Sequence, residues 1–180
     1  GNQVRVIDRC SAVFKLAQGV FVAPSPLEQL FGRSELVQSI FIYGEALMTR
    51  VAAAVVPSQV LLRSVGASTT ASLSDVVADE QVAERMRGAL FDSFQSLGKT
   101  AGAPAWQIPA LIVLDHVEWS NTNGLLSTIG KPCRPALIQR FAATIRTLAQ
   151  ASNDHAAAAI PAGDSTAAPP LPVIAGLSSG

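Results

Sequence analysis

A chain of 180 residues with 13 basic and 13 acidic side chains carries no formal net charge. It lacks the cationic surplus that drives non-specific binding to nucleic acid or to an anionic membrane surface. With 49% hydrophobic and 14% charged residues, it is too apolar to stay disordered and long enough for about one packed domain.

Two cysteines, Cys10 and Cys133, and two histidines, His116 and His155, leave no room for a Cys/His zinc site or a disulfide framework. No metal ligand set is expected. The best apolar run, Val51 to Leu62, is interrupted by Pro57, Ser58 and Gln59 and falls short of the roughly 18 residues of a spanning helix. The start, Gly1 to Arg5, has no apolar block of a secretory signal. The expectation is a cytoplasmic protein with neither membrane nor nucleic acid as partner, beginning abruptly, as if cut from a longer chain.

In chain order, Val4 to Arg9 suggests a short strand. Ala12 to Leu16 and Val20 to Ala23 suggest a hairpin with Gly19 in its turn. Ser25-Pro26-Leu27-Glu28 reads as an N-cap hydroxyl, a proline at the first helical position and a capping-box glutamate, opening a short helix that stops near Gly32. Val37 to Tyr43 and Val51 to Val56 are β-branched, apolar runs that predict adjacent antiparallel strands closed by Pro57. Residues 57 to 76, rich in Ser and Thr, predict an irregular connection.

From Ala78 the period changes to that of a helix. Val82, Met86, Leu90, Phe91, Phe94 and Leu97 recur at spacings of three and four on one face, and Lys99 and Gly102 mark its end. Burying those six at about 1.5 to 3 kcal/mol each is ample to dock the helix on a sheet. Ala110 to Leu114 predicts another strand, and Asn123-Gly124 a hairpin turn between Val117-Glu118-Trp119 and Leu125-Leu126. A closing helix begins around Pro135 and carries Leu137, Phe141, Ile145 and Leu148 on one stripe. Residues 151 to 180, Ala/Pro/Gly/Ser-rich and nearly uncharged, read as a linker with a coil span of about 30 Å. Residues 1 to 150 are thus expected to form an α+β domain, a small mixed β-sheet with an N-terminal hairpin covered by two main helices.

The order of several segments is more specific than their composition. Ile7-Asp8-Arg9, Phe14-Lys15-Leu16-Ala17-Gln18-Gly19 and Leu27-Glu28 come first. Gln38 to Gly44 with Ala53 to Pro57 follows, and then Asn123-Gly124-Leu125-Leu126-Ser127 with Lys131 and Arg134. This series resembles the C-terminal subdomain of adenylate-forming enzymes, nearest to the adenylation domains of carboxylic acid reductases and to long-chain acyl-CoA synthetases. The resemblance covers residues 3 to about 150. It implies a mobile lid over a larger N-terminal adenylation core in the same polypeptide, which would hold ATP, Mg2+ and the acyl pocket. The acyl group would pass to a phosphopantetheine thiol of a carrier protein or of CoA, within a carboxylic acid reductase or a polyketide or peptide synthetase. The Ala/Pro-rich tail suits a tether to a carrier protein, and the fragment alone is expected to be inactive.

The same resemblance implies roles for individual residues. Lys131 matches the family's adenylation lysine. Forming an acyl-adenylate brings a carboxylate up to the α-phosphate, and a cation held between the two anions stabilises the transition state more than either reactant. Arg134 either accompanies that lysine or pairs with a nearby acid; a cation at a helix start opposes the macrodipole, so something should compensate it. Asp8, Arg9 and Ser11, with Cys10 between them, fall on the hinge. Lys15, Gln18 and Gly19 fall on the loop that faces phosphopantetheine during thioester formation, although a plain hairpin turn would also want glycine at 19. Relatives often carry lysine where Ser11 stands and glutamate where Val20 stands. These departures motivate an alternative, a non-catalytic lid-like module that docks a carrier protein or other partner. Gly66-Ala67-Ser68-Thr69-Thr70 only echoes a phosphate loop, since no lysine follows it. Trp106, Trp119, Phe91, Phe94 and His116 are read as structural, and Cys133 has no evident base to activate it.

Overall fold

The computed structural model describes residues 12–67 and 71–158, and its first element is the expected hairpin. β1 (Phe14–Lys15) and β2 (Phe21–Val22) pair antiparallel, Phe14 opposite Val22 and Lys15 opposite Phe21. Leu16 N–H donates to Val20 O and Gly19 N–H to Leu16 O, both at 2.9 Å. Gly19 turns the chain at φ +83°, a left-handed conformation that any side chain would make costly. The strand expected over Val4 to Arg9 lies outside the described residues.

α1 (Pro24–Phe31) starts earlier than its sequence suggests. Pro24, not Pro26, opens the helix, Ala23 is the N-cap, and no side chain caps the end. The first-turn N–H groups of a helix have no intrahelical acceptor, so both prolines fit there, and the earlier one sets the start. Ser25 is therefore inside the helix rather than its cap. Glu28, five residues past the N-cap, turns its carboxylate to Ile42 of the sheet. The helix ends at Gly32 as expected.

β3 (Val37–Tyr43) runs antiparallel to β4 (Ala52–Pro57), which pairs in parallel with β5 (Leu111–Leu114), giving a mixed sheet of order β3-β4-β5. Every residue of the central β4 is buried, in keeping with its unbroken run of Ala and Val. Among the described residues β3 is an outer strand of this sheet.

Residues 57 to 76 are more ordered than expected. They contain α2 (Gln59–Ser64) and, after residues 68–70, α3 (Leu73–Ala78). Ser58 caps the first by accepting Leu61 N–H at 3.2 Å, and Ser72 caps the second by accepting Asp75 N–H at 3.2 Å. The serines that made this stretch look like loop are its helix starts. Asp79 then caps α4 (Glu80–Thr100), its Oδ1 accepting from Gln81 and Val82 N–H. α4 buries Met86, Leu90 and Phe94 as the period predicts, and Phe94 meets Phe31 of α1 with ring centroids 5.0 Å apart.

Two further expectations change. Residues 117–119 and 125–126 form no strands; the Asn123-Gly124 turn is present, but only an isolated bridge joins Leu126 to Pro132. Trp119 is drawn inward, against Phe141 with ring centroids 6.1 Å apart, instead of lying along a ladder. α5 (Arg134–Ala158) continues past residue 150 into the segment read as linker, whose alanines favour helix. Leu137, Phe141 and Ile145 of its stripe are buried, whereas Leu148, beyond the sheet, is 41% exposed.

Candidate functional site

Between β5 and α5 runs an irregular segment, residues 115–133, that carries Lys131 and is fixed at both roots. At the first root, Asp115 is only 2% exposed. Its Oδ2 accepts from Trp119 Nε1 at 2.8 Å and from Arg140 Nε at 3.0 Å, while its Oδ1 accepts from Arg140 Nη2 at 2.7 Å and Val117 N–H at 3.1 Å. Burial by itself would raise the Asp115 carboxyl, but the bonds from Arg140, Trp119 and Val117 outweigh it and hold the group below its ordinary value. The same bonds, which Arg140 donates to Asp115, raise the arginine above its ordinary value.

At the second root stands Arg134, the first residue of α5. Its Nη2 donates to both carboxylate oxygens of Glu28, at 2.8 and 2.7 Å, and its Nη1 donates to Ile42 O at 3.4 Å. Glu28 Oε1 also accepts Ile42 N–H at 2.9 Å. The guanidinium carbon lies 5.2 Å from the centroid of the Phe41 ring. With side chains 19% and 11% exposed, Arg134 and Glu28 form a largely buried pair. Arg134 thus has the acid partner that one of its two sequence readings expects, although the pair is largely buried where that reading has an exposed side chain.

The tip between these roots is a tight turn. Ser127 N–H donates to Lys131 O at 2.7 Å, Lys131 N–H to Ser127 Oγ at 3.1 Å, and Gly130 N–H to Ser127 O at 2.9 Å with Gly130 at φ +73°. Cys133 N–H donates to Leu125 O at 2.8 Å. The backbone around Lys131 is thus pinned. Its side chain is exposed, and its ammonium has no partner among the described residues.

The β1–β2 loop presents Lys15, Gln18 and Gly19, all exposed. Lys15 Nζ lies 5.7 Å over the Phe21 ring, Gln18 Nε2 donates to Thr49 O at 3.0 Å, and Ala17 N–H donates to Met48 O at 2.9 Å. The hairpin is thereby tied to the β3–β4 connection. Asp8, Arg9, Cys10 and Ser11 lie outside the described residues, as do Ser68, Thr69 and Thr70. His116 is exposed and Cys133 is a half-buried free thiol. Among the described residues no three His, Cys, Asp or Glu side chains gather as a metal site, and no helix is long and apolar enough to cross a membrane.

Sequence reasoning missed Glu28, Asp115, Arg140 and the Trp119 donor as members of this region. The only local signal was an acid placed directly after the apolar run Leu111 to Leu114.

No protein-family model matches the chain. A carboxylic acid reductase of Mycobacterium marinum is 34% identical over 140 residues, which are 78% of this chain and 11% of that protein. Long-chain-fatty-acid–CoA ligase 1 of Cavia porcellus is 31% identical over 147 residues, 81% of this chain and 20% of that protein. Among solved structures, the A-PCP didomain of carboxylic acid reductase from Segniliparus rugosus in complex with AMP superposes with a TM-score of 0.70 at 32% identity, covering 84% of this chain and 19% of that one. The chain therefore spans between about a tenth and a fifth of the proteins it matches.

Proposed function

Because the chain belongs to the adenylate-forming superfamily, as its smaller C-terminal subdomain, we propose that it is the mobile lid of an ATP-dependent, AMP-forming carboxylate-activating enzyme. A larger N-terminal core would supply the ATP and acyl sites. In the first half-reaction a substrate carboxylate oxygen attacks the α-phosphorus of ATP, the acyl–O–P bond forms, and the bond to pyrophosphate breaks with its electron pair leaving on pyrophosphate. Lys131 is the residue assigned to this step. Two anions meet while charge builds on the phosphoryl oxygens, and an ammonium already fixed there lowers the barrier without reorganising.

In the second half-reaction a phosphopantetheine thiol, on a carrier protein or CoA, displaces AMP to give the thioester. The hairpin loop with Lys15, Gln18 and Gly19 would face that arm, and Asp8, Arg9 and Ser11 would lie at the hinge between the two poses. The A-PCP didomain among the structural relatives and the Ala/Pro-rich stretch toward residue 180 favour a carrier protein as acceptor.

The observation that carries the reading is the exposed ammonium of Lys131, without a partner among the described residues, on a backbone tied to Ser127 and followed by the Cys133–Leu125 bond. The test is ATP–pyrophosphate exchange by the full-length polypeptide. Lys131→Ala should lower it by about a hundred- to a thousandfold, as loss of a preorganised charge-stabilising donor does. Unchanged exchange would instead support the non-catalytic docking module that the departures at Ser11 and Val20 suggest.

A further inference from the structure

We propose that Glu28 is a positioning residue for Lys131, acting through Arg134; the inference rests on the lid reading above. Glu28 stands on α1 and Arg134 opens α5, 106 positions apart in sequence. Their pair is built around Ile42, whose N–H donates to Glu28 and whose C=O accepts from Arg134. Among the described residues β3 is an outer strand of the sheet, and these two side chains bond its Ile42 backbone where a neighbouring strand would otherwise do so.

The clamp fixes more than this strand. Arg134 is held by two carboxylate oxygens on its Nη2, one carbonyl on its Nη1 and the Phe41 ring, a spread of partners over two nitrogens that a lysine's single ammonium cannot reproduce. Little slack separates it from Lys131: Pro132 has a locked φ, Cys133 N–H is tied to Leu125 O, and both backbone groups of Lys131 are tied to Ser127. The place where Lys131 leaves its turn is therefore set by where Glu28 holds Arg134. Because α1 follows directly on β2, the same carboxylate joins the Lys131 loop to the helix behind the hairpin. Arg134 consequently does its work inside the lid, not on the nucleotide.

The test is a double-mutant cycle in the full-length enzyme, with rates normalised to folded protein. Glu28→Gln keeps the side chain's shape and removes its charge. It should lower kcat for ATP–pyrophosphate exchange about ten- to a hundredfold, the order expected for a misplaced catalytic group, and leave KM for ATP unchanged. In a Lys131→Ala background the same change should cost nothing further, because a residue acting only through Lys131 has nothing left to position. Arg134→Lys should behave in the same way and serves if Glu28→Gln fails to fold. An equal loss with and without Lys131, or a rise in KM alone, would overturn the positioning role and leave the lid reading standing. Lys131→Ala with undiminished exchange would overturn the lid reading itself.

Discussion

Lys131 and Arg134 stand three residues apart and have opposite surroundings. The arginine spends its donors on Glu28 and Ile42 and is largely buried; the lysine is exposed, with no partner among the described residues. Arg140, one turn and a half further along α5, is likewise spent on Asp115. The contrast separates two uses of positive charge. A cation committed to a buried carboxylate fixes the fold but cannot respond to a ligand, whereas one held only by its backbone is available to an anion that arrives later. In this segment the roots hold the first kind and the tip the second.

The sharpest way to break that comparison is at the tip. Lys131→Ala removes an exposed side chain with no polar partner among the described residues, so stability should stay within about 0.5 kcal/mol of the parent while adenylation loses roughly 3 to 4 kcal/mol of transition-state stabilisation. Urea unfolding of the chain beside exchange kinetics of the full-length enzyme reads both. A comparable loss of stability would mean that Lys131 belongs with the roots.

The roots should answer in the opposite sense. Asp115→Asn leaves Arg140 without its counter-charge and Trp119 with a weaker acceptor. Removing one partner of a buried pair costs about 3 to 5 kcal/mol; with Arg140 34% exposed, water offsets part of this, and about 2 to 3 kcal/mol is expected. The urea midpoint should fall with the slope unchanged. The pH dependence carries a definite sign. The folded-state pKa of Asp115 lies below the ordinary 3.8, so between the two values the unfolded chain binds more protons. The contribution is fully present above about pH 4 and is lost as pH falls through the folded value. Asp115→Asn should flatten the acid limb of the stability profile relative to the parent.

Much of the fold was legible because it rests on local periodicity. The α4 stripe of Met86, Leu90 and Phe94, the apolar runs of β3, β4 and β5 and the Gly19 turn each state their structure within a dozen residues. Short capped helices were not, because Ser58 and Ser72 look like loop residues until the N–H groups that they accept are seen. Nor was the end of α5, where alanines are equally at home in a linker. At the site, Lys131 was reached only through the order of segments around it. Glu28 was assigned to a cap because its true partner lies across the sheet, and the Asp115–Arg140 pair joins positions that no short window contains. Long-range ion pairs leave no spacing to read.

The hairpin, anchored by buried Leu16 and Val22, offers the milder test. A Cβ on Gly44 would lie 2.4 Å from the Phe14 ring and 3.0 Å from Leu16, so Gly44→Ala should displace β1 at a cost of about 1 to 2 kcal/mol. Gln18→Ala should do less. It removes one exposed hydrogen bond to Thr49 O, worth under about 1 kcal/mol, while the Ala17 N–H bond to Met48 O at 2.9 Å still holds the turn. Its stability effect should be barely measurable. If the loop faces the phosphopantetheine arm only in the second pose, Gln18→Ala should slow transfer to the thiol a fewfold and leave ATP–pyrophosphate exchange untouched, a split that rapid-quench measurement of each half-reaction resolves. Equal slowing of both steps would place the hairpin, with Asp115, among the parts that serve the fold alone.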